Sequence, residues 1–304
     1  MPNAFSVDVE DGISIAMRDR FRTRIPQTTR VVIQTRKILE LLAATDTKAT
    51  FFILGQVAES FPEIVREIDR DEHEIGVHGY NHIVFSQMKP DQARNEVLRA
   101  KRLLEDITGK AVVGHRAPCF SISEPTAWAL DVLLEAGFYY DSSIMPCPGI
   151  GYGWPGQPLE IGRISTPNGQ SIIEVPMTVA SVLGKKIPAL GGSYFRLLPY
   201  WVCRKILKSV EKERPAIVYL HPYELDPERY PAYYFEQLKK SSLLIQIRMR
   251  SFWLRRKSLE ERYARLLAEH SFCPIRDLIS TWEASAAPYE AGSGVGTVEA
   301  VKYS

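Results

Sequence analysis

Short apolar runs alternate with helix-like segments from the start of the chain to about residue 225, and this alternation constrains the fold more than any other feature. The apolar runs cover residues 4–7, 49–54, 74–77, 112–114 and 216–220. Between them lie segments with a helical spacing of apolar residues, at residues 29–43, 62–70, 90–108 and 123–136. Strand–helix repeats of this kind imply parallel strands joined by crossover helices. The sequence therefore predicts an α/β fold built on a parallel sheet.

The composition is that of an ordinary globular chain with a sizeable core. It has 304 residues, of which 45% are hydrophobic and 24% charged, and this size suits one barrel domain with an appendage. A formal net charge of +2 argues against a dedicated nucleic-acid-binding protein, which would carry a strong basic excess. The four cysteines form no Cys-x-x-Cys pair, so we expect reduced thiols rather than a disulfide framework.

Three features bear on the location of the protein. The N-terminus runs straight into the first apolar run, which leaves no room for a signal peptide and favours the cytoplasm. No apolar stretch reaches the ~18–20 residues that a membrane helix requires, so we expect no transmembrane segment. Residues 247–257 contain five basic residues among apolar ones. We expect a basic helix that packs on its own domain; the alternative is a membrane-surface helix, which would make the protein peripheral to a membrane.

We divide the chain into three parts. Residues 1–225 form the predicted barrel, residues 226–283 a C-terminal helical extension that packs on it, and residues 284–304 a flexible tail. Within the barrel, residues 146–192 loosen into loops rich in proline and glycine around one strand at 172–175. Such loops commonly shape a substrate groove on a rigid scaffold.

Reactive side chains cluster at the ends of the apolar runs. In a barrel of parallel strands, the C-terminal strand ends converge on one face, where active sites are built. The residues concerned are Asp8, Glu10, Asp11, His78, His82, Arg116, Asp141 and His221. Because four widely separated runs end in this way, the sequence predicts a hydrolytic metal site.

Two histidines and a carboxylate are the candidate metal ligands. His78 and His82 are four residues apart directly after an apolar run, and one helical turn would bring both to one ion. The two-residue period of a strand points Asp8 and Glu10 to the same side. Carboxylates this close need a compensating cation or arginine, unless they form a solvated turn closed by Gly12. Two imidazoles and one carboxylate, with a position left for water, indicate a catalytic zinc-type site.

Two further residues complete the predicted chemistry. Arg116 follows the run at 112–114 and can hold a catalytic carboxylate by bidentate hydrogen bonds. His221 ends the last run, which we expect to lie across the barrel mouth from the first strand. An imidazole is the natural proton donor to a departing amine.

Six motifs follow one another along the chain: Val7-Asp8-Val9-Glu10-Asp11, residues 49–52, His78 to His82, Arg116-Ala117-Pro118, Tyr140-Asp141-Ser142-Ser143 and Tyr219-Leu220-His221-Pro222. As an ordered set, these motifs resemble the NodB-type polysaccharide deacetylases (carbohydrate esterase family four), and within them the branch associated with exosortase-type exopolysaccharide loci. The resemblance covers most of the chain, weakly as far as Leu278. It implies a distorted barrel of about seven parallel strands and a hydrolase that removes N-acetyl groups from an amino sugar.

The resemblance implies one divalent metal ion, bound by Glu10, His78 and His82. Zinc is the first candidate, and cobalt, nickel, iron and manganese are alternatives for this ligand set. Most family members have adjacent aspartates in the first motif, so the Asp-x-Glu-Asp pattern here leaves Asp11 as an alternative to Glu10. Gly79 stands where most members have serine or threonine, which removes a hydroxyl from the site but leaves the number of ligands unchanged.

The other motifs take roles in proton transfer and substrate binding. Asp8 takes the proton of the attacking water, Arg116 orients Asp8, and His221 protonates the leaving nitrogen. The backbone N–H of Cys119 stabilises the oxyanion, and Asp141 is placed with it on the substrate side.

The substrate implied is an N-acetylated carbohydrate, either a polymer or a lipid-linked or small precursor. Two other functions are carried as alternatives: an amidohydrolase for a small cyclic amide, and a carbohydrate-binding pseudoenzyme. The sequence leaves the sugar, its linkage and the oligomeric state open.

Overall fold

A computed structural model describes residues 1–149, 152–182, 184–251 and 254–286. Its main sheet contains seven parallel strands in the spatial order β10-β1-β2-β3-β4-β5-β7, with β6 antiparallel on the β7 edge and β11 parallel to β1. A separate hairpin joins β8 and β9. The strands are β1 (Asn3–Val9), β2 (Thr50–Ile53), β3 (Glu74–Val77), β4 (Gly114–His115), β5 (Tyr140–Asp141), β6 (Gly162–Ser165), β7 (Ser171–Glu174), β8 (Val179–Val182), β9 (Lys185–Pro188), β10 (Ile217–Leu220) and β11 (Phe272–Cys273).

Twelve α-helices are described, and most of them connect successive strands. They are α1 (Gly12–Phe21), α2 (Arg30–Ala44), α3 (Gly55–Ser60), α4 (Pro62–Arg70), α5 (Pro90–Thr108), α6 (Trp128–Glu135), α7 (Gly192–Leu197), α8 (Tyr200–Val210), α9 (Ala232–Lys239), α10 (Leu243–Ser251), α11 (Leu259–Glu269) and α12 (Ile275–Ala286).

The sheet is an open half-barrel, because the strand path ends at β10 on one side and at β6 on the other. The predicted α/β fold with parallel strands and a distorted barrel is therefore confirmed. Three of the predicted helices coincide with α2, α4 and α5 within one residue. The fourth, at 123–136, is divided into a 3-10 turn at Glu124–Thr126 and α6.

Side chains of β1 alternate between the two faces of the sheet, as the two-residue period of a strand requires. Phe5, Val7 and Val9 belong to the buried cluster formed with the outer helices. Ser6 and Asp8 therefore point to the interior of the half-barrel, and both are buried. This alternation places a carboxylate inside the barrel at the C-terminal end of its first strand.

The C-terminal segment adds a strand to the sheet as well as helices. Strand β11 pairs with β1 through Asn3 and Ala4, at the end of β1 opposite the candidate site. Helix α12 then begins with two backbone N–H groups bound to side chains of the sheet: Ile275 to Thr50 Oγ1 at 2.7 Å and Arg276 to Glu74 Oε2 at 3.0 Å. The C-terminal extension is thus not purely helical, because it contains β11. The domain boundary at residue 225 stays a prediction.

The predicted basic helix at 247–257 is not one helix. Helix α10 ends at Ser251, Arg255 has a φ of +61° and a 3-10 turn follows at Arg256–Ser258. A left-handed residue interrupts the helical backbone. Of the tail predicted at 284–304, residues 284–286 belong to α12, and residues 287–304 lie outside the described residues. None of the described helices combines the length and apolar character needed to traverse a lipid bilayer.

Candidate active site

The C-terminal ends of four strands bring the candidate residues together. Strand β1 leads to Glu10, β3 to His78, β4 to Arg116 and β10 to His221. The last of these strands pairs directly with β1, with Ala4 opposite Ile217. The expectation that His221 lies across the barrel mouth from the first strand was therefore wrong: the two strands are neighbours.

Glu10, His78 and His82 form a buried group of potential metal ligands. One ligand atom from each lies within 4.8 Å of the other two. Glu10 Oε2 is 2.7 Å from His82 Nε2 and 3.5 Å from His78 Nε2. This oxygen is buried and has no hydrogen-bond partner of acceptable geometry among the described residues. A carboxylate oxygen and two imidazole nitrogens that converge in this way fit a divalent cation.

The two histidines converge through a loop rather than through a helical turn, which corrects the expected geometry. Residues 78–82 form no helix, and both Gly79 (φ +72°) and His82 (φ +54°) adopt the left-handed conformation. Glycine adopts this conformation without strain, so the departure from serine or threonine at position 79 suits the backbone. For His82 it is costly and is typical of residues constrained at functional sites.

Each histidine is oriented through its second ring nitrogen. His78 Nδ1 lies 2.9 Å from the backbone carbonyl oxygen of Arg116, which leaves Nε2 directed at Glu10. His82 Nδ1 lies 3.3 Å from Arg18 Nη2 and 4.0 Å from Asp19 Oδ2. Metal-binding histidines commonly use their second nitrogen in this way to fix the ring.

The charge of Glu10 is stabilised by the imidazoles around it. Burial opposes ionisation of this carboxyl group and would raise its pKa, but the electrostatic attraction of His82 and the close approach of the His78 and His82 imidazoles hold the pKa well below its usual range. The carboxyl group is therefore ionised, as a metal ligand must be.

Asp8 is held by Arg116 inside the half-barrel. Arg116 Nη1 donates to Asp8 Oδ1 at 2.8 Å and to Ser6 Oγ at 2.8 Å. Its other nitrogens donate to Ser142, Nε to the backbone oxygen and Nη2 to Oγ, both at 3.0 Å. The predicted pairing of Arg116 with a carboxylate is present, but through one contact to Asp8 rather than two. Asp8 Oδ2 thus stays available on the side that faces His221.

The guanidinium of Arg116 also lies over an aromatic ring. Its central carbon is 4.2 Å from the centre of the Phe52 ring. A methyl group at Gly76 would come within 2.6 Å of that same ring. Because residue 76 has no side chain, the Phe52 ring has room to pack against the guanidinium group of Arg116.

His221 faces both Asp8 and Glu10. Its Nε2 is 3.8 Å from Asp8 Oδ2 and 3.7 Å from Glu10 Oε1. Its Nδ1 is 3.3 Å from Glu224 Oε2, and its ring stacks on Tyr223 with centroids 4.8 Å apart. Burial lowers the pKa of His221, but the hydrogen bond with Glu224 and the negative charges of Glu10, Glu224 and Asp8 outweigh it and raise the pKa to about 9. The ring is thus a proton donor at neutral pH.

Asp11 lies next to Glu10 in sequence but points away from the ligand group. Its Oδ1 accepts from the backbone N–H of Ile13 at 3.0 Å, which caps helix α1. Its Oδ2 accepts from the backbone N–H of Thr28 at 2.5 Å. Both oxygens therefore accept backbone hydrogen bonds, one at the start of α1 and one just before the start of α2.

The structure does not bring Asp141 to the ligand group. Its side chain is fully buried, with Oδ1 2.7 Å from His115 Nδ1 and 2.7 Å from Ser143 Oγ. Ser143 Oγ in turn accepts from the backbone N–H of Ala117 at 2.7 Å. Asp141 therefore supports the Arg116-Ala117-Pro118 turn from beneath rather than lining the space open to a substrate.

Cys119 follows that turn with a φ of +56°, and Phe120 has a φ of +51°. Two successive left-handed residues are strained, and they expose the backbone at this point of the loop. Among the described residues, no partner is recorded for the backbone N–H of Cys119. Burial and the charge of Glu10 raise the pKa of the Cys119 thiol to about 12, so the thiol is a poor nucleophile.

Three residues of the site were not singled out from the sequence. Glu224 accepts from the backbone N–H of His221 at 3.2 Å as well as contacting its ring, and the spacing of a histidine, a proline and a glutamate three residues on could have indicated this cap. Arg196, buried against Glu224 at 3.2 Å, and Ser6 gave no local signal, because their partners are distant in sequence.

Two models of known protein families match successive segments of the chain. Residues 32–140 match the family model described as polysaccharide deacetylase, and residues 142–280 match a domain of unknown function (DUF3473). The first segment contains His78, His82 and Arg116, whereas Asp8 and Glu10 lie before it. The fold thus joins residues from inside and outside the matched segment.

Each of three curated relatives matches about a third of the chain. A peptidoglycan-N-acetylglucosamine deacetylase of Bacillus cereus is 38% identical over 98 residues, which is 32% of this chain and 36% of the relative. A peptidoglycan deacetylase of Helicobacter pylori is 36% identical over 109 residues, 36% of each chain. A chitooligosaccharide deacetylase of Azorhizobium caulinodans is 31% identical over 100 residues, 33% of this chain and 45% of the relative. The match spans less than half the length of each of these relatives.

Solved structures share the fold over nearly the whole chain. A protein from Mycobacterium smegmatis, provisionally named a polysaccharide deacetylase, superposes with a TM-score of 0.60 at 19% identity and covers 99% of this chain and 96% of its own. An allantoinase superposes with a TM-score of 0.51 at 18% identity and covers 86% and 89%. At these identities the likeness concerns the fold alone. The similarity to polysaccharide deacetylases therefore comes from the family model and the curated relatives, each of which matches about a third of the chain.

Proposed function

We propose that this protein is a metal-dependent hydrolase that removes N-acetyl groups from an amino sugar and releases acetate. The observation that carries the proposal is that three sets of side chains lie close together. They are the Glu10–His78–His82 group, the ion pair of Asp8 with Arg116, and His221, the proposed proton donor. The named activities of the curated relatives, on peptidoglycan and chitooligosaccharides, support an N-acetylated carbohydrate as the substrate class.

Glu10, His78 and His82 would hold the divalent metal ion, and Asp11 is disfavoured because both of its oxygens accept backbone hydrogen bonds. When bound, such an ion polarises an amide carbonyl and lowers the pKa of a coordinated water. Zinc is the first candidate, since two imidazoles and a carboxylate are a frequent catalytic zinc shell. The unpartnered Glu10 Oε2 supports a cation at this point in the functional protein.

The protein's own residues would move the protons of the reaction. Asp8, fixed by Arg116 through Oδ1, accepts through Oδ2 a proton from the water whose oxygen bonds to the acetyl carbon. His221 Nε2, on the same side at 3.8 Å, donates its proton to the amide nitrogen as the carbon–nitrogen bond breaks. The products are acetate and a free amine. The backbone N–H of Cys119, which has no recorded partner among the described residues, is the candidate oxyanion donor.

The finer points of the proposal rest on the sequence. The Val7-Asp8-Val9-Glu10-Asp11 motif supports the branch associated with exosortase-type exopolysaccharide loci. The substrate would then be an exopolysaccharide or its biosynthetic intermediate, and we place the reaction in the cytoplasm. Neither alternative function gains a specific observation. The allantoinase is similar in fold alone, and the chain contains every residue that we propose as acid, base or metal ligand.

An acetate-release assay over a panel of N-acetylated glycans tests the proposal. The protein is assayed after treatment with a chelator and again after addition of single divalent metals. We expect acetate release from at least one glycan, loss with chelator and recovery with metal. Ring opening of a cyclic amide without acetate release, or glycan binding without turnover in the metal-loaded protein, would replace the proposal with one of the two alternatives.

A further inference from the structure

A second surface of the protein combines exposed aliphatic side chains with basic ones. Helix α10 contributes Leu243, Leu244 and Ile247, which are 70%, 80% and 57% exposed, and Leu254 follows at 55%. These are four of the ten large hydrophobic residues that are exposed in the described part of the chain. We define the α10 surface as these four residues together with the exposed basic residues of the same segment, Lys239, Lys240, Arg255 and Lys257.

In the part of the chain that the structure describes, no residue covers the outer face of α10, whereas its inner face is packed. Met249 is 5% exposed and, with the partly buried Ile245, belongs to the cluster that α10 shares with helices α1 and α9. The helix is therefore fixed on the domain by one face, as a basic helix packing on its own domain was expected to be. Leu243, Leu244 and Ile247 do not belong to this cluster, and their side chains are exposed to solvent. Large exposed apolar patches mark interaction sites.

The charge of the segment restricts what can cover this face. Residues 239–258 contain seven lysines and arginines and no aspartate or glutamate. The chain as a whole has 38 basic and 36 acidic residues, so the remainder carries a net charge of −5. A second copy of the chain docked on the same face through a two-fold axis would place two such basic segments against each other. Charge complementarity requires an anionic partner with an apolar interior.

We infer that the α10 surface binds the interface of an anionic lipid bilayer. Aliphatic side chains on one side of a short helix, flanked by lysine and arginine, are the pattern of an interfacial membrane contact. Each basic residue near an anionic leaflet adds attraction that is screened by salt. Nucleic acid fits less well, because the four exposed aliphatic side chains offer it neither stacking nor hydrogen bonds.

The α10 surface adjoins the candidate active site. Arg256, which is buried and stands between Arg255 and Lys257 in the sequence, donates to the backbone oxygen of Asp226 at 3.3 Å and lies 5.9 Å from the Tyr223 ring. Tyr223 stacks on His221. A bilayer bound here would therefore lie on the side of the site that carries His221. The inference is independent of the proposed reaction, because it rests on the surface alone.

Vesicle co-sedimentation of the full chain tests the inference. The vesicles consist of phosphatidylcholine alone or of phosphatidylcholine with phosphatidylglycerol, at low and at high salt. We expect binding to the anionic vesicles, weaker binding to the neutral ones and loss of binding at high salt. The variant Leu243→Ser/Leu244→Ser/Ile247→Ser should bind the anionic vesicles at least about tenfold more weakly, whereas Ile33→Ser, an exposed residue of α2, should bind like the wild type.

Two charge-reversed variants test whether the attraction to the vesicles is specific to the α10 surface or depends only on the net charge of the protein. Lys239→Glu/Lys240→Glu should weaken binding at least about tenfold, while Lys205→Glu/Lys208→Glu, which makes the same charge change on exposed residues of α8, should have a much smaller effect. Failure of the wild type to bind anionic vesicles, or equal effects of the two charge reversals, would overturn the inference. The inference would also be overturned if the protein does not bind vesicles but self-associates or binds duplex DNA, and the triple serine variant abolishes that interaction.

Discussion

Glu224 Oε2 lies 3.3 Å from His221 Nδ1, on the opposite side of the imidazole from the nitrogen that faces Asp8 and Glu10. Glu224 is itself buried and its other oxygen is 3.2 Å from Arg196 Nη1. A carboxylate in this position both fixes the plane of the ring and favours its protonated form. Glu224 is thus a positioning residue for the proposed acid.

Glu224→Gln should shift the pH profile of the reaction. A general acid is active while protonated, so activity falls as the pH rises through its pKa. Removing the charge of Glu224 lowers the pKa of His221, since the hydrogen bond and charge of Glu224 are among the causes that raise it. The alkaline limb of kcat/KM should therefore move to lower pH. Glu236→Gln, an exposed residue of α9, should leave the profile in place; an unchanged limb in Glu224→Gln would exclude this role.

Replacing either proposed proton-transfer residue should abolish most of the turnover. Asp8→Asn and His221→Ala should each reduce kcat at least ~100-fold, the usual contribution of a positioned acid or base. Neither change removes a ligand atom of the Glu10–His78–His82 group, so metal content should persist in both. Near-normal turnover in one variant would remove that residue from the mechanism, whereas loss of metal from His221→Ala would make it a ligand.

Metal content should depend on two of the six histidines. His78→Ala and His82→Ala should each lose most of the bound metal, because each removes one of three ligand atoms, and circular dichroism should show the fold preserved. His270→Ala serves as the matched control, since His270 contacts Glu211 at 2.8 Å outside the ligand group. Elemental analysis of the purified proteins decides the point. Full occupancy in both variants would refute the site.

The carboxylate ligand can be assigned by comparing variants of the adjacent residues Glu10 and Asp11. Glu10→Gln should lose metal, and its thermal stability should differ little from that of the metal-free wild type. Asp11→Asn should keep its metal but lose about 1 kcal/mol of stability, because its amide NH2 cannot accept from the Thr28 N–H, although its Oδ1 can still cap α1. Elemental analysis and thermal unfolding of both variants separate the two effects. The reverse pattern would assign the metal to Asp11.

Much of the fold follows from local sequence patterns. The apolar runs predicted the strands, since a strand buried on both faces is apolar almost throughout. The reactive residues at their ends were identifiable for the same reason: Asp8 and Arg116 are polar residues that interrupt or follow such runs. The amphipathic pattern of 90–108 likewise predicted α5, which ends at Gly109 with a φ of +69°.

Other parts of the site depend on contacts that no local pattern records. The pairing of β10 with β1 joins segments more than 200 residues apart, so the position of His221 beside Asp8 could not be read from either segment. The path from His78 to His82 depends on two left-handed residues, one of which is not glycine. Arg116 divides its donors between Asp8 and Ser142, a choice made by tertiary packing alone.

The stability of the protein should depend on pH through His73, which is outside the candidate site. His73 is 6% exposed and its Nδ1 accepts from the backbone N–H of Ala49 at 3.2 Å. Burial, reinforced by the charge of Lys48, lowers the pKa of this imidazole from 6.5 to about 4. The unfolded chain therefore binds a proton that the folded chain excludes between these two values, so stability is full above the unfolded pKa and falls as the pH drops through this window.

His73→Asn tests this dependence, because asparagine can keep an acceptor for the Ala49 N–H and does not titrate. The free energy of unfolding of the wild type should fall relative to that of His73→Asn by about 2 kcal/mol from about pH 7.5 to about pH 5. Urea unfolding at each pH gives both values, and the difference between the two proteins removes the contribution of all other titrating groups. Parallel pH dependences in the two proteins would show that His73 is protonated in the folded chain as readily as in the unfolded one.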